Sequence, residues 1–196
     1  MFMDQRLISA LSILNSYKTT EDVIMKDGSM LIHRIKSTSP LGYLHKIYSP
    51  LTIKHLEKIE TLLKISLPRE YRDFLLRFNG LDAFNGELSI FGLRLRESGG
   101  YFKSTLQPND IIIQNLGRNQ KDGYIQIGTF KEYDVLMAKD GSDKVYVINK
   151  NKILEYHSFY EWLYETISFL DDEHQKNTFK KPQLKAPLLF NIYRLF

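Results

Sequence analysis

The chain has 196 residues, a formal net charge of +4, 43% hydrophobic residues and 26% charged residues. These values are ordinary for a globular protein and suit one domain with extensions. The absence of cysteine excludes disulfides, thiolate nucleophiles, zinc fingers and iron–sulfur clusters. The amino terminus has no basic region followed by a cleavage site, and no apolar stretch approaches the ~18 residues that span a bilayer. We therefore expect a cytoplasmic protein that does not engage a membrane.

The excess positive charge is concentrated at the two ends of the chain. Residues 1–48 carry six basic and four acidic side chains, residues 171–196 carry five and three, and the segment between them carries sixteen of each. A nucleic-acid-binding protein usually gathers positive charge on one face of its folded domain, so this pattern disfavours a nucleic-acid partner. Basic residues with interleaved aromatics in the tail leave two interpretations open: the tail is solvated or packs on the domain, or it contacts nucleic acid or a membrane surface. Its relevant side chains are Lys180, Lys181, Lys185, Tyr193 and Arg194.

The first third of the sequence predicts a helix, a hairpin and a second helix. Apolar residues recur at helical spacing over residues 4–17, where Asp4 can cap the first turn. Two apolar runs flank the Asp-Gly pair at residues 27–28, which is a hairpin signal. After a connector, Ser49 as N-cap and Pro50 in the first turn predict the next helix. Its buried stripe is formed by Leu56, Ile59 and Leu63.

The segment ISLPREYRDFLLRFNG, residues 65–80, predicts a short amphipathic helix with defined ends. Pro68 presets the backbone of the first turn. Asn79 and Gly80 are expected to close the helix, with Gly80 in the left-handed conformation. The apolar face repeats at the i, i+3, i+4 and i+7 positions. It consists of Tyr71, Phe74, Leu75 and Phe78.

Strands dominate the second half of the sequence. Short apolar runs predict them at residues 87–93, 123–130, 133–139, 144–150 and 152–157. An Asp-Gly pair at residues 140–141 predicts a turn, whereas the type of the apolar run at 111–117 stays open. Ser158 and Glu161 form a capping box for a helix through about Leu170. Together these elements predict an α+β fold: a mainly antiparallel sheet flanked by helices, with an N-terminal helix–hairpin extension and a C-terminal tail.

The sequence contains no recognisable catalytic or metal-binding pattern. The histidines, at residues 33, 45, 55, 157 and 174, are not spaced as pairs of metal ligands, and there is no nucleophile elbow or phosphate-binding glycine loop. His55 is expected to be solvated or structural. The acidic run at residues 171–173 is expected at a helix C-terminus, either solvated or as a weak site for a cation or a basic partner. We predict no catalytic residue, metal, cofactor or small-molecule substrate.

The segment at residues 67–80 resembles the SUKH superfamily of Smi/Knr-like domains. The helix before it, the strands within residues 127–148 and a closing helix that contains Trp162 also resemble that family. The resemblance covers roughly residues 48–170, although many members have a second glycine where this chain has Leu81. The motif of the family is L-P-x-[DE]-Y-x-x-F-L-x-x-x-N-G. It is matched by Leu67, Pro68, Glu70, Tyr71, Phe74, Leu75, Asn79 and Gly80.

The resemblance implies an α+β domain that acts by binding another protein. We expect an N-terminal extension at residues 1–47, a SUKH-like domain at 48–170 and a basic, apolar tail at 171–196. Most bacterial members resemble immunity proteins, which bind and block a cognate toxin domain that is often a nuclease. The eukaryotic relatives are non-enzymatic regulators linked to cell-wall assembly, so a regulatory protein-binding scaffold is the alternative. Neither role needs a catalytic residue, and the signature residues are expected to be scaffold.

A protein partner needs an accessible surface, which we predict in the strand-and-loop region. Interfaces of this kind bury about 1,600 Å² and gain association speed from complementary charge. Acidic side chains there would suit the basic cleft of a nuclease. The candidate partner-binding residues are Glu87, Glu97, Tyr101, Asp110, Tyr133 and Asp134.

Overall fold

The computed structural model describes residues 3–36, 42–95, 106–117, 121–150 and 152–179. In these residues the helices are α1 (Gln5–Ser16), α2 (Ile53–Leu63), α3 (Arg69–Leu75), α4 (Ile111–Asn115) and α5 (Phe159–Phe179). The strands are β1 (Val23–Ile24), β2 (Met30–Arg34), β3 (Tyr43–Ile47), β4 (Leu81–Ala83), β5 (Leu88–Ile90), β6 (Tyr124–Phe130), β7 (Tyr133–Ala138), β8 (Val145–Asn149) and β9 (Lys152–Tyr156). A 3₁₀ turn at Phe84–Gly86 joins β4 to β5.

The nine strands form one sheet in which every neighbouring pair is antiparallel. Their order in space follows their order in the chain, from β1 to β9. The predicted hairpins at residues 27–28 and 140–141 are both present, as the turns between β1 and β2 and between β7 and β8. Antiparallel neighbours need no long crossover, so sequential strands lie side by side. The predicted α+β fold with a mainly antiparallel sheet is confirmed.

The two faces of the sheet differ in what they contact. One face belongs to the buried core that also contains the apolar sides of α1, α2, α3 and α5, and we call it the inner face. Side chains alternate along each strand, so the residues between the inner ones point to the opposite, outer face. A representative inner row consists of Ile47, Leu81, Ile90, Val135 and Val147.

The N-terminal helix packs on the long C-terminal helix. Leu7, Ala10 and Leu14 of α1 are buried in the common core because they recur at helical spacing on one side. Just after α1, the hydroxyl of Tyr17 donates a hydrogen bond to Oδ1 of Asp171 at 2.5 Å. The residues predicted as an N-terminal extension thus share one sheet and one core with the rest of the chain. The boundaries after residues 47 and 170 remain predictions.

The predicted start of α2 at Ser49–Pro50 is wrong, because the N-cap is Thr52. The side chain of Thr52 accepts a hydrogen bond from the N–H of His55, and Nδ1 of His55 accepts one from the N–H of Thr52 at 3.2 Å. Ser49 is engaged elsewhere: its N–H donates to Oγ of Ser29 at 3.0 Å, and its carbonyl accepts from the N–H of Asn79 at 3.1 Å. Tertiary hydrogen bonds therefore override the local Ser-Pro signal.

The predicted end of α3 is also wrong. The helix ends at Leu75 rather than at Asn79, and the N–H of Asn79 donates to the carbonyls of Tyr48 and Ser49 instead of continuing the helix. Gly80 has the expected positive φ, at 91°, but it leads directly into β4 and does not cap a helix. The left-handed residue therefore redirects the chain into the sheet.

Helix α5 begins as predicted and ends later than predicted. Oγ of Ser158 accepts from the N–H of Glu161 at 3.2 Å, which is one half of the predicted capping box, whereas Oε2 of Glu161 accepts from the N–H of His157 at 2.9 Å. The helix continues past Leu170 to Phe179, so the acidic run lies inside it and not at its C-terminus. Two carboxylates of that run hold the last turns in place: Asp171 accepts from Tyr17, and Glu173 pairs with Lys131 at 2.5 Å.

Candidate partner-binding surface

The apolar side of the motif-bearing helix α3 is buried scaffold. Tyr71, Phe74 and Leu75 are buried, and the hydroxyl of Tyr71 donates to the carbonyl of Phe91 at 2.8 Å. The ring of Phe159 packs on those of Tyr71 and Phe74, with centroids 5.5 and 5.2 Å apart. These contacts fix α3 and the start of α5 on the inner face, where a partner has no access. Three further signature residues are also buried, namely Leu67, Pro68 and Trp162.

Asn79 links the end of α3 to the segment that follows β5. Its Nδ2 donates to the carbonyl of Leu93 at 2.8 Å, and its Oδ1 accepts from the N–H of Leu93 at 2.7 Å. Asn79 is only 4% exposed, so both ends of its amide are satisfied by the protein. The backbone at residues 79–80 approaches that at residues 90–92 so closely that glycine is required on both sides. A Cβ at Gly92 would lie 2.3 Å from Oδ1 of Asn79, and one at Gly80 would lie 2.6 Å from the carbonyl oxygen of Ile90.

A second polar link joins α3, the β7–β8 turn and α5. The N–H of Glu70 donates to Oδ1 of Asp143 at 2.8 Å, and Oε2 of Glu70 accepts from the N–H of Tyr160 at 3.1 Å. Burial raises the pKa of the Glu70 carboxyl above its ordinary value, and the hydrogen bond from Tyr160 partly opposes that rise. Both carboxylates act as caps within the fold, so they are not the surface acids that a partner would meet.

The outer face carries polar and apolar side chains that range from buried, at Ser89 and Leu136, to exposed. One row runs in register through Lys46, Asp82, Ser89, Thr129, Asp134, Ile148 and Ile153. Its last member, Ile153, is 66% exposed. An adjacent row contains Tyr146, whose ring lies edge-on to that of Tyr124 with centroids 5.4 Å apart. Accessible aromatic, aliphatic and charged groups on one rigid face are typical of surfaces that bind another protein.

Asp134 lies in the middle of the part of the outer face formed by β6 to β9. Its Oδ2 pairs with Nζ of Lys121 at 2.5 Å, and its Oδ1 accepts from Nε2 of Gln126 at 2.8 Å. The side chain is still 44% exposed, so its carboxylate remains accessible to a basic group of a partner. A shallow depression next to it is lined by Glu132, Asp134, Ile148, Asn149 and Lys150.

Asp82 lies in the same row, nearer to β3. Its Oδ2 accepts from the hydroxyl of Tyr48 at 2.6 Å, and its Oδ1 accepts from Oγ of Ser89 at 2.8 Å. Burial, and then the charge of Asp82, raises the pKa of Tyr48 above its ordinary value. This carboxylate is therefore an internal acceptor.

A mainly apolar cavity of about 400 Å³ lies beside Tyr48, with walls that include Met25, Leu95, Leu106 and Pro108.

Comparison with known families identifies the architecture. The model of the SMI1/KNR4 family (SUKH-1) matches residues 50–177, which is more than half of the chain. The chain belongs to the SMI1/KNR4 family (SUKH-1). No curated protein matches it. The match contains α2, α3, α4 and most of α5, and it confirms the resemblance that the motif in residues 67–80 indicated.

Strands β1 to β3 precede the part of the chain that matches the SMI1/KNR4 family. They extend the sheet formed by β4 to β9 on one side, and the β1–β2 turn contributes Met25 and Ser29 to the cavity beside Tyr48. In the described parts of the chain, no helix has both the length and the apolar character needed to cross a membrane.

The predicted partner-binding residues are not all brought together. Asp134 lies on the outer face, but its neighbour Tyr133 lies on the inner side, where its ring stacks on that of Phe130 with centroids 6.2 Å apart. Glu87 is exposed in the turn between β4 and β5, and its carbonyl accepts from the N–H of Lys131 at 2.6 Å. Adjacent positions on a strand point to opposite faces, so Tyr133 and Asp134 cannot contact one flat partner surface together.

The remaining predicted residues are a cap and two positions that the structure does not describe. Asp110 is the N-cap of α4, because its Oδ1 accepts from the N–H groups of Ile112 and Ile113 at 2.8 and 3.1 Å. Glu97 and Tyr101 lie outside the described residues. A single binding site made of all six residues remains a prediction, and Asp134 is the member that the outer face presents among accessible neighbours.

Sequence reasoning missed a cluster of histidines on the inner side. The rings of His33, His45 and His174 surround that of Tyr17, with centroids 6.2, 5.1 and 5.5 Å away. Burial, followed by the charges of His174 and His33, lowers the pKa of His45 to about 3. No group of three or more His, Asp or Glu side chains within the described residues is placed to hold a metal ion. The cluster was not visible in the sequence because its members come from three separate elements.

Proposed function

We propose that this protein is an immunity protein, which binds a cognate toxin domain and neutralises it by covering its functional surface. Membership of the SMI1/KNR4 family carries the proposal, because protein binding is the activity expected of that family. The outer face of the sheet supports it as the binding surface. The inner face is occupied by helices, whereas the outer face offers accessible side chains on a rigid platform.

The part of the outer face formed by β7 to β9 has the composition of a binding surface. Ile148, Ile153 and Tyr146 supply apolar and aromatic contact area, while Asp134 and Glu132 supply negative charge beside them. Such a combination suits a partner whose binding site is basic, as the cleft of a nuclease is. The overall charge of +4 does not oppose this, because association follows the local field of the contacting surface.

Neutralisation by binding is stoichiometric and needs no cofactor. A standard interface buries about 1,600 Å², so the contact would extend beyond a single row of the sheet. The internally bonded carboxylates of Asp82, Glu70 and Asp143 are then structural, and the accessible Asp134 and Glu132 face the toxin. We infer that the domain blocks its target as a rigid body, since its sheet and helices share one core.

The test is rescue of growth by co-expression. Partners are enriched from native lysate with the tagged full chain, and each is then expressed alone and together with this protein. We expect one polypeptide that kills cells when expressed alone and is harmless in the presence of this chain. A harmless partner would favour the regulatory scaffold, and nucleic acid retained at low salt without a protein partner would favour nucleic-acid binding.

A matched pair of variants locates the binding surface. Ile148→Lys places a charge on the outer face, and Leu62→Lys places the same charge on the exposed side of α2, where Leu62 is 46% exposed. We expect Ile148→Lys to abolish rescue and to weaken the purified complex at least tenfold, because buried charge at an interface core is unfavourable. Leu62→Lys should rescue as well as the wild type. Equal loss in both variants, or loss in Leu62→Lys alone, would contradict the outer face as the site.

A further inference from the structure

We propose that the open edge of β9 receives an extended segment of the protein partner as a tenth strand, with an apolar residue next to Ile153 and a basic residue next to Glu155. This inference rests on the proposed function, because it specifies how the toxin is held. It goes beyond that function by naming a backbone docking site and the side-chain pattern of the segment that fits it.

The register of the last hairpin shows which backbone groups of β9 face outward. Asn149 pairs with Lys152, only three positions further along the chain, and at this spacing the paired residues exchange both of their backbone hydrogen bonds. Bonding positions alternate along an antiparallel pair, so Leu154 and Tyr156 also bond to β8. The N–H and C=O groups of Ile153 and Glu155 therefore point away from β8, towards the open edge.

This edge is longer than the opposite one. No strand among the described residues pairs with the outer side of β9, and Ile153 is 66% exposed. The edge at β1 is a strand of two residues, Val23–Ile24, so it offers a much shorter ladder. An edge with alternating unpaired donors and acceptors is the template for strand addition by another chain.

The side chains at this edge define the chemistry of the added strand. Ile153 and Glu155 point to the outer face, where Ile153 lies next to Ile148 and Glu155 pairs with Nζ of Lys144 at 2.7 Å. An apolar residue placed opposite Ile153 would extend the apolar strip begun by Ile148. A basic residue placed opposite Glu155 would add a second cation to a carboxylate whose side chain is still 45% exposed. The fitting segment is thus extended and carries a basic and an apolar residue two positions apart.

A second copy of this chain fits the edge poorly in the register centred on Leu154. In a symmetric antiparallel pair of β9 strands centred on Leu154, the outward groups of Ile153 in one copy would bond to those of Glu155 in the other. Each apolar Ile153 would then lie opposite a carboxylate, at both ends of the pair. This mismatch of charge and polarity disfavours self-association in that register, and the test below distinguishes a second copy from a partner of different sequence.

The test is a nuclear magnetic resonance titration of the full ¹⁵N-labelled chain with a synthetic peptide, acetyl-Ser-Thr-Lys-Thr-Val-Thr-Ser-amide. We expect saturable shifts at the amides of Ile153 and Glu155, with smaller shifts at Ile148. Replacing the lysine of the peptide by glutamate should weaken binding at least threefold. Ile153→Pro removes an outward N–H without removing a hydrogen bond to β8, so it should weaken binding about tenfold. Ile153→Val keeps that N–H and should bind like the wild type.

Several results would overturn the proposal. These are the absence of shifts at β9 at millimolar peptide, equal binding of both peptides, and unchanged binding by an Ile153→Pro variant whose other resonances remain native. Dimerisation through β9, detected by sedimentation and lost in Ile153→Pro, would assign the edge to a second copy instead. The peptide experiment does not involve the toxin. Growth rescue without peptide binding therefore refutes the edge proposal alone, and peptide binding without rescue refutes the immunity function alone.

Discussion

Asn79 and His45 are both buried polar side chains, but their hydrogen bonding differs. The amide of Asn79 is satisfied at both ends by the backbone of Leu93. The ring of His45 accepts from the N–H of Phe84 at 3.2 Å through Nδ1, whereas its Nε2 has no partner among the described residues. A buried polar group costs stability when it is unpaired and contributes when it is paired. The amide of Asn79 therefore holds two segments of the chain together, whereas the site of His45 accommodates the imidazole only in its neutral form.

The two sites also differ in their relation to the family. Asn79 lies in the motif and inside the residues that match the SMI1/KNR4 model, whereas His45 lies on β3, before the match begins. The satisfied site belongs to the part of the fold that the family shares. The incompletely satisfied site lies where the additional strands, α1 and the end of α5 meet. If this difference in hydrogen bonding governs stability, substitutions at the two sites should change the free energy of unfolding by different amounts.

The largest effect is expected from removing the amide of Asn79. Asn79→Ala leaves the N–H and the C=O of Leu93 without their partners inside the protein, so we expect a loss of about 2–4 kcal/mol in the free energy of unfolding. Chemical denaturation at neutral pH measures it. Asn79→Asp should be nearly as harmful, because its carboxylate can accept from the N–H of Leu93 but cannot donate to the carbonyl.

An exposed amide provides the control for this prediction. Gln175→Ala removes a surface hydrogen bond to Asp171, at 3.1 Å, and should change the free energy of unfolding far less than Asn79→Ala does. If Asn79→Ala and Gln175→Ala had equally small effects, water would be satisfying Leu93 in place of the amide, and the contrast with His45 would disappear.

The second effect is a pH dependence produced by His45. Burial lowers its pKa from 6.5 to about 3 in the folded state, so the unfolded chain takes up a proton first as the pH falls. The contribution of His45 is fully present above pH 6.5 and is lost as the pH decreases towards 3. The ring of Phe84 packs on that of His45 at 4.8 Å, and the titratable groups around it are Tyr17, His33, His174 and Asp22. We expect a loss of about 3 kcal/mol from this residue between pH 7 and pH 4.

Comparison with a variant that does not titrate isolates this contribution. His45→Asn keeps an acceptor near the position of Nδ1 but removes the ionisation. Its free energy of unfolding should therefore fall less steeply with decreasing pH than that of the wild type. Parallel curves for the two proteins between pH 7 and pH 4 would show that His45 takes up its proton in the folded state, contrary to its burial. The test compares how steeply the free energy of unfolding changes with pH, so a constant difference in that free energy caused by the smaller side chain does not affect the result.

Local patterns predicted those elements whose ends and faces are set by their own residues. Helix α1, the two Asp-Gly hairpins, strands β6 to β9 and the start of α5 were predicted because each has a cap, a turn or a regular apolar period. The start of α2 and the end of α3 were wrong because Ser29, Tyr48 and Asn79 redirect the backbone through long-range hydrogen bonds. Strand β3 was missed since Tyr43, Leu44 and His45 are all buried, which removes the alternation that marks a strand.

The candidate surface was harder to predict than the fold. The sequence could favour the strand region and include Asp134, but it could not determine which face of each strand the helices would cover. That choice depends on the pairing of all nine strands, and it separates Tyr133 from Asp134. The role of Asp110 was ambiguous for a similar reason. Its sequence context fits both an exposed acid and a helix N-cap, and only the position of α4 distinguishes the two. The outward groups of β9 follow only from the register of its hairpin with β8.

The smallest effect is expected at Tyr17, which joins the histidine cluster to α5. Its hydroxyl donates to Asp171 at 2.5 Å, while its ring packs edge-on against His45 at 5.1 Å. Tyr17→Phe removes only the hydrogen bond and should cost about 1–2 kcal/mol, less than Asn79→Ala, because the carboxylate of Asp171 can turn to water. Tyr17→Leu removes the aromatic packing as well and should cost more. If Tyr17→Phe were as stable as the wild type at neutral pH, packing of the ring alone would hold α1 against α5. The site around His45 would then be stabilised by packing, and its polar groups would add no net stability.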